Sequence, residues 1–269
     1  MADISAYALS PTVSAIFAWR ERTADRSFRN HLGASAIGKP CDRELWFGFR
    51  WYRKPRFNGR MLRLFETGQL AEARFVRELR GIGAEVWPVD PLSGRQWRVS
   101  AHGGHFGGSL DGVCRGIPES SRPHVVEFKT HGIKSFAGLA KGVKTAKPEH
   151  WVQMQVYMHL MDLDRALYLA VRKDDDGLYG ERVKLDVKAA ESALNRAERL
   201  IYGQRAPETR GPEWACQWCS LSDVCAGGRP ELNCRTCSKS RPEEDGRWYC
   251  EGHYLSELRQ RQGCGEWTC

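Results

Sequence analysis

The sequence predicts an α/β domain, a mixed sheet flanked by helices, with a small cysteine-rich module at its C-terminal end. Three observations predict it. Apolar residues recur at helical spacing through RMLRLFETGQLAEARFVRELR (60–80). Short β-type runs are interspersed with further helical segments. Eight of the ten cysteines lie in residues 216–269, a tail too small for a core of its own and in need of staples.

Taken in order, residues 1–34 read as helical and then irregular, and 41–52 as helical. In the helix over 60–80, Leu62, Phe65, Leu70, Ala73, Phe75, Val76 and Leu79 recur at roughly helical spacing. Residues 83–88 and 95–101 read as short strands, and HFGGSLDGV (105–113) as a third. GIPESSRP (116–123) is a turn by its Gly, Pro and Ser content. HVVEFKT (124–130) is a strong strand. A loop with a short helix spans 131–148, and EHWVQMQVYMHLM (149–161) is a helix. RALYLAVRK (165–173) and LYGERVKLD (178–186) are strands about the turn DDDG, and 187–202 is a helix. The division expected is a domain over 1–230 and a module over 231–269.

The formal net charge of +8 favours a polyanionic partner. Arg43, Arg50, Arg53, Lys54, Arg56, Arg60 and Arg63 crowd one stretch, interleaved with Trp46, Phe47, Phe49, Trp51, Tyr52 and Phe57. Such a stretch is either an amphipathic segment with a solvated face or a groove for phosphates and bases. No apolar run is long enough to cross a membrane, and the start lacks the pattern of a signal peptide, so a cytoplasmic location is expected. In that compartment clustered cysteines point to metal rather than disulfides.

In a strand, side chains two apart share a face, so Glu127 and Lys129 point one way and Val126 and Phe128 the other. Alone, the first pair reads as a cross-strand ion pair. GGSLDG places Asp111 in the preceding strand, and a hairpin at 115–123 can return the chain beside it. Two carboxylates then converge, enough to hold Mg²⁺ or Mn²⁺ beside a phosphate. Lys129 is placed to orient a water or offset charge in the transition state. These residue types suit hydrolysis of a phosphodiester.

GSLD, EFK and QMQVY together resemble the PD-(D/E)XK nuclease superfamily, in its RecB-type and phage-exonuclease branches. The resemblance covers roughly residues 30–230. It implies a restriction-endonuclease-like core and a metal-dependent deoxyribonuclease. In it Asp111 and Glu127 bind the metal, the Phe128 carbonyl adds a ligand and Lys129 serves the attacking water. Gln153 and Tyr157, one helical turn apart, line the site and contact substrate. Glu72, in Gly68 to Glu72, approaches the metal directly or through water, with Glu66 as the fallback. The branch implies an exonuclease processing DNA ends for recombination or repair, with a single-strand annealing protein as a partner, in a bacterial or phage-infected cell. An endonuclease or a CRISPR-adaptation subunit is the alternative within the class. A non-catalytic DNA-binding protein and an RNA-binding zinc protein are alternatives outside it. The Pro of the superfamily's name is replaced by Leu110, as in many RecB-type members.

Cys216-x2-Cys219-x5-Cys225 leaves a tetrahedral centre one ligand short, and Cys41 is the fourth. One cysteine before the core and three after it resembles the iron–sulfur nucleases of the AddB and CRISPR-adaptation types. That resemblance implies a [4Fe–4S] cluster tying the chain ends together. A zinc site uses the same residues. Cys234, Cys237, Cys250 and Cys264 form a plausible zinc-ribbon set, with His253 and Cys269 as competing ligands. GASAIGKP (33–40) is not a P-loop, because Pro40 stands where a hydroxyl must meet Mg²⁺; by resemblance Ser35 lies instead toward the DNA end. HGGH (102–105) reads as a turn, and Cys114 as a buried, inert thiol.

Overall fold

The computed structural model describes residues 10–25 and 27–268. Helix α1 (Pro11–Thr23) leads to strand β1 (Leu32–Gly33), helix α2 (Asp42–Phe49) and the long helix α3 (Gly59–Gly81). Strands β2 (Glu85–Trp87), β3 (Arg98–Ala101), β4 (Phe106–Ser109), β5 (Gly112–Arg115) and β6 (His124–His131) follow. After short helical turns come helix α4 (Pro148–Leu160), strands β7 (Arg165–Arg172) and β8 (Leu178–Lys184), and helix α5 (Val187–Tyr202). The tail adds β9 (Ser240–Pro242), β10 (Trp248–Cys250), β11 (His253–Leu255) and helix α6 (Glu257–Gln262).

The helices begin where the sequence supplies caps. Asn58 accepts the Met61 N–H at 2.9 Å and Asp186 accepts that of Ala189 at 3.1 Å. Each satisfies a donor that the first turn leaves open, a contribution of about 1 kcal/mol. Pro148 opens α4, where its missing N–H costs nothing.

The main sheet runs β2–β5–β6–β7–β8, antiparallel except for the parallel pair β6–β7. A parallel pair requires a crossover, and α4 supplies it and covers one face. On the opposite face α3 packs, with Phe75 stacked on Phe128 at 5.0 Å between ring centres and Leu79, Val86 and Val126 beside them. Fully burying one such ring contributes about 1.5–3 kcal/mol. Val125 faces the other way, into a cluster with Met154, Met158, Ala193 and Leu200. The mixed sheet between helical layers matches the architecture predicted from the sequence.

The expected single strand over 105–113 is two strands in two sheets. β4 lies between β1 and β3, whereas β5 joins the main sheet. The chain switches at Leu110–Asp111. Leu110 still donates to Trp97 O at 3.0 Å, while Gly112 takes φ +149° and a Cβ on it would lie 2.8 Å from Trp87 O.

The tail joins the same apolar cluster as α2, through Cys234, Trp248 and Leu255. Two arginines pin it there. Arg235 lies 3.8 Å from the Trp51 ring centre and donates to the Asn30 and Phe49 carbonyls. Arg50, 2% exposed, sits between Trp46 and Trp248 and donates to the carbonyls of Ser240 and Gly203. The basic run over 43–63 is therefore not one solvated face: Arg50 is structural, and Arg53 pairs with Asp223.

Candidate active site

Gly112 of β5 pairs with Val126 of β6, so Asp111 meets the middle of the long strand. Its Oδ2 accepts the Phe128 N–H at 2.7 Å. A side chain thus takes the place of a ladder partner just before β5 begins, and the carboxylate is fixed beside Glu127 and Lys129. Lys129 Nζ bonds Glu127 Oε1 and, at 3.1 Å, the Phe128 carbonyl. Glu127 is fully buried, because α4 lies over the face that the strand pattern leaves polar.

Gln153 and Tyr157 complete the frame. Gln153 Nε2 donates to Glu127 Oε2 at 3.0 Å and reaches Tyr157 Oη at 3.3 Å. The Tyr157 hydroxyl donates to Ser109 O at 2.8 Å. A Cβ on Gly108 would lie 2.7 Å from that hydroxyl, so glycine is what lets β4 approach it. Gln153 is 6% exposed and Tyr157 1%. The resemblance implies that both contact substrate; as they stand, they hold Glu127 and the Gly108–Asp111 turn.

Glu72 comes from α3. It lines a cleft of about 560 Å³ together with Asp111, Gln69, Arg77 and Arg80. Glu66 is paired instead with Arg20.

Burial pushes the Glu127 carboxyl up to about 7, with Lys129 opposing the shift and Asp111 and Glu72 adding to it. Asp111 is raised by burial against the pull of Lys129 and the Phe128 N–H. Glu72 is raised by burial and by Asp111. For Lys129, burial favours the neutral amine, but Glu127, Asp111 and Glu72 outweigh it and the net shift is upward. Three carboxylates thus surround one ammonium. The donors are hard oxygens with surplus negative charge, which is the chemistry that suits Mg²⁺ or Mn²⁺.

A polar network behind Lys129 has no counterpart in the sequence reading. His131 continues the alternation Glu127, Lys129, His131 on one face, and His150 precedes Gln153 on α4 by one turn. Both imidazoles bond the Tyr168 hydroxyl, at 2.8 and 3.0 Å, and Ser135 Oγ lies 3.0 Å from His131 Nδ1. The signal was present in the period of EFKTH and in the i, i+3 spacing of His150 and Gln153.

Cys41, Cys216, Cys219 and Cys225 line one small cleft of about 70 Å³. Sγ of Cys41 accepts the Glu44 N–H at 3.4 Å, that of Cys219 the Leu221 N–H at 3.4 Å, and that of Cys225 Arg43 Nε at 3.3 Å. At Cys219 burial outweighs the Leu221 N–H and pushes the thiol up. A Cβ on Gly211 would lie 2.6 Å from that of Cys41, so glycine lets the returning chain close over it. In the tail, Cys234 is raised by burial and then by Cys264, Cys250 and Cys237, and Cys250 by burial and then by Cys237 and Cys264 among others. His253 pairs with Cys250 across β10–β11 and is exposed; Cys269 lies outside the described residues. The described cysteines are free thiols. Among the described residues no group of three His, Cys, Asp or Glu side chains is already closed about a cation-sized point.

His102 and His105 bond backbone carbonyls, of Leu194 at 3.1 Å and Glu243 at 3.0 Å, which accords with a structural turn. Cys114 is buried, and burial pushes its thiol up to about 12. Among the described residues no helix is long and apolar enough to cross a membrane.

No family model matches the chain, and no curated protein does. Among solved structures it is similar to SSO0001, at 16% identity over 80% of this chain and 96% of that one, with a TM-score of 0.46. It is similar to LHK-Exo in complex with dAMP, at 17% identity over 80% and 98%, with a TM-score of 0.44. A further structure of that protein, described as an alkaline exonuclease from Laribacter hongkongensis, gives 19% identity over 70% and 90%, with a TM-score of 0.41. Likeness at this level says nothing of the chemistry of this chain.

Proposed function

We propose that the chain is a divalent-metal-dependent DNA nuclease of the PD-(D/E)XK type, processing DNA ends. The observation that carries this reading is the bond from Asp111 to the Phe128 N–H, which sets Asp111 beside Glu127 and Lys129. Asp111 and Glu127 are the residues that would hold Mg²⁺ or Mn²⁺, with the Phe128 carbonyl as a further donor and Glu72 across the cleft. A cation there supplies Lewis acidity and a more acidic water.

The side chains do the rest. Asp111 keeps one oxygen on the Phe128 N–H and lines the cleft. Glu127 is held by Gln153 on one oxygen and by Lys129 on the other. Lys129 is a quarter exposed at its side chain, so its ammonium can turn from Glu127 toward an attacking water and offset charge on the phosphate oxygens. Gln153 and Tyr157 act as positioning residues. The four cysteines about the 70 Å³ cleft suit a [4Fe–4S] cluster or zinc, and Cys234, Cys237, Cys250 and Cys264 suit structural zinc in a module over 231–269.

The test is digestion of linear duplex DNA by the purified chain with Mg²⁺ or Mn²⁺, and again after EDTA. The reading expects degradation from the ends, stopped by EDTA, with closed circular DNA spared. Cutting of the circle would make it an endonuclease. Cleavage unchanged in both Asp111→Ala and Lys129→Ala would remove the catalytic assignment.

A further inference from the structure

A second groove is lined in part by Leu32 and Gly33 of β1. Its volume is about 320 Å³, and Arg29, Lys54, Arg56, Phe28, Phe57 and Leu221 are among the residues that line it. Two of its other cations are spent locally, Lys39 on Glu44 and Arg53 on Asp223. Lys54 and Arg56 are exposed, and among the described residues neither is recorded in an ion pair. The groove therefore carries uncompensated positive charge.

Aromatic surface accompanies the charge. Phe57 is 47% exposed and Phe65, edge-on to it at 4.9 Å, is 44% exposed. Phe28 stacks on Trp51 at 4.9 Å, so its ring is rigidly mounted in the wall. Exposed rings beside unpaired cations suit a chain of anions carrying flat apolar faces. In a duplex those faces are already stacked on each other, so such rings serve only unpaired bases.

The groove also adjoins the carboxylate site. Leu32 and Gly33 of β1 pair with Phe106 and Gly107 of β4. Ala34, which follows them, is in the same buried cluster as Tyr157, and a Cβ on Gly108, the next residue of β4, would lie 3.1 Å from that of Ala34 and 2.7 Å from the Tyr157 hydroxyl. We infer that this groove holds a single strand of nucleic acid leading to or from the carboxylate site, with Lys54 and Arg56 on its phosphates and Phe57 under a base. The direction "to the site" rests on the nuclease reading; the binding itself does not.

The test is an anisotropy titration of a labelled oligodeoxythymidylate with the full chain carrying Asp111→Ala, so that the probe survives. The parent is compared with the same chain bearing Lys54→Ala and Arg56→Ala, or Phe57→Ala, each checked for an unchanged melting temperature. The double variant should bind about tenfold more weakly at low salt. Its log–log salt dependence should flatten by about 1.4, two contacts at about 0.7 each. Phe57→Ala should weaken binding by about tenfold at any salt. A blunt duplex should show smaller losses. Unchanged single-strand affinity in both variants would overturn the proposal, as would equal losses on the duplex. No cleavage enters the readout, so an inactive enzyme with these losses would leave the groove standing. An active enzyme without them would remove the groove alone.

Discussion

The Gln153 amide donates to the Glu127 carboxylate at 3.0 Å while lying one turn from Tyr157, whose hydroxyl bonds the Ser109 carbonyl. One helix thus fixes both halves of the carboxylate site, Glu127 on β6 and the turn that carries Asp111. Removing such an outer partner of a metal ligand costs about 10–100-fold. Gln153→Ala should lower kcat by that range with little change in KM, because Gln153 is buried away from the cleft. Gln153→Glu should do worse, since it adds a fourth carboxylate to the site. Steady-state kinetics on linear duplex DNA checks both.

Lys129 acts on Glu72, Asp111 and Glu127 alike. Lys129→Ala should cut turnover by about 100-fold or more. It should also lower the melting temperature without metal, since the carboxylates lose their counter-charge. Mn²⁺ should restore more of that loss in the variant than it adds to the parent. Thermal melts with and without Mn²⁺ read this directly.

Glu127 titrates at about 7 in the metal-free fold, against 4.5 when unfolded. The folded state therefore holds a proton that the unfolded state has released between those values. Metal-free stability falls as pH rises through that window. A bound cation must displace the same proton, so its stabilising effect should grow as pH rises toward and past 7. Melting shifts on adding Mg²⁺ across this range measure the linkage. A shift that does not vary with pH would deny the carboxylate its place.

His131 and His150 behave oppositely. Burial, then nearby cations, hold them down at about 4 and about 3, against 6.5 in an unfolded chain. Burial keeps both neutral in the fold at physiological pH. Their contribution to stability should be full above pH 6.5 and should drop as pH falls toward 4, as the unfolded state takes up the protons. Urea unfolding of His150→Gln should show a flatter acid limb than the parent.

The fold and the carboxylate core were legible because their signals are local. The period of HVVEFKT sets which residues share a face, and the order of GSLD, EFK and QMQVY sets which elements meet. The break at Leu110–Asp111 was not legible. FGGSLDGV has no proline to interrupt a strand, and the switch between sheets is set by Trp97, Trp87 and Phe128 from elsewhere in the chain. The burial of Arg50 escaped for the same reason, since Trp248 and the Ser240 carbonyl come from the distant tail. Arg235 stands in CRTC, where the spacing of the cysteines draws the attention and the arginine between them does not.

The cysteine sets give separable expectations. Metal analysis of Cys219→Ser should show loss of iron, or of one zinc, with the tail's metal retained. Cys237→Ser should show the reverse. Because Arg50 and Arg235 tie the tail to α2, either loss should also lower the melting temperature of the whole chain in one transition.

The central claim is that Asp111 and Glu127 hold the cation that cuts DNA. The most direct test is Mn²⁺ binding by calorimetry to the parent and to Asp111→Ala, with nucleotide release from linear duplex followed on the same samples. The account predicts that the variant loses at least about tenfold in Mn²⁺ affinity and nearly all release, while its melting temperature without metal holds or rises because a buried carboxylate has gone. Unchanged Mn²⁺ affinity together with undiminished release would contradict it.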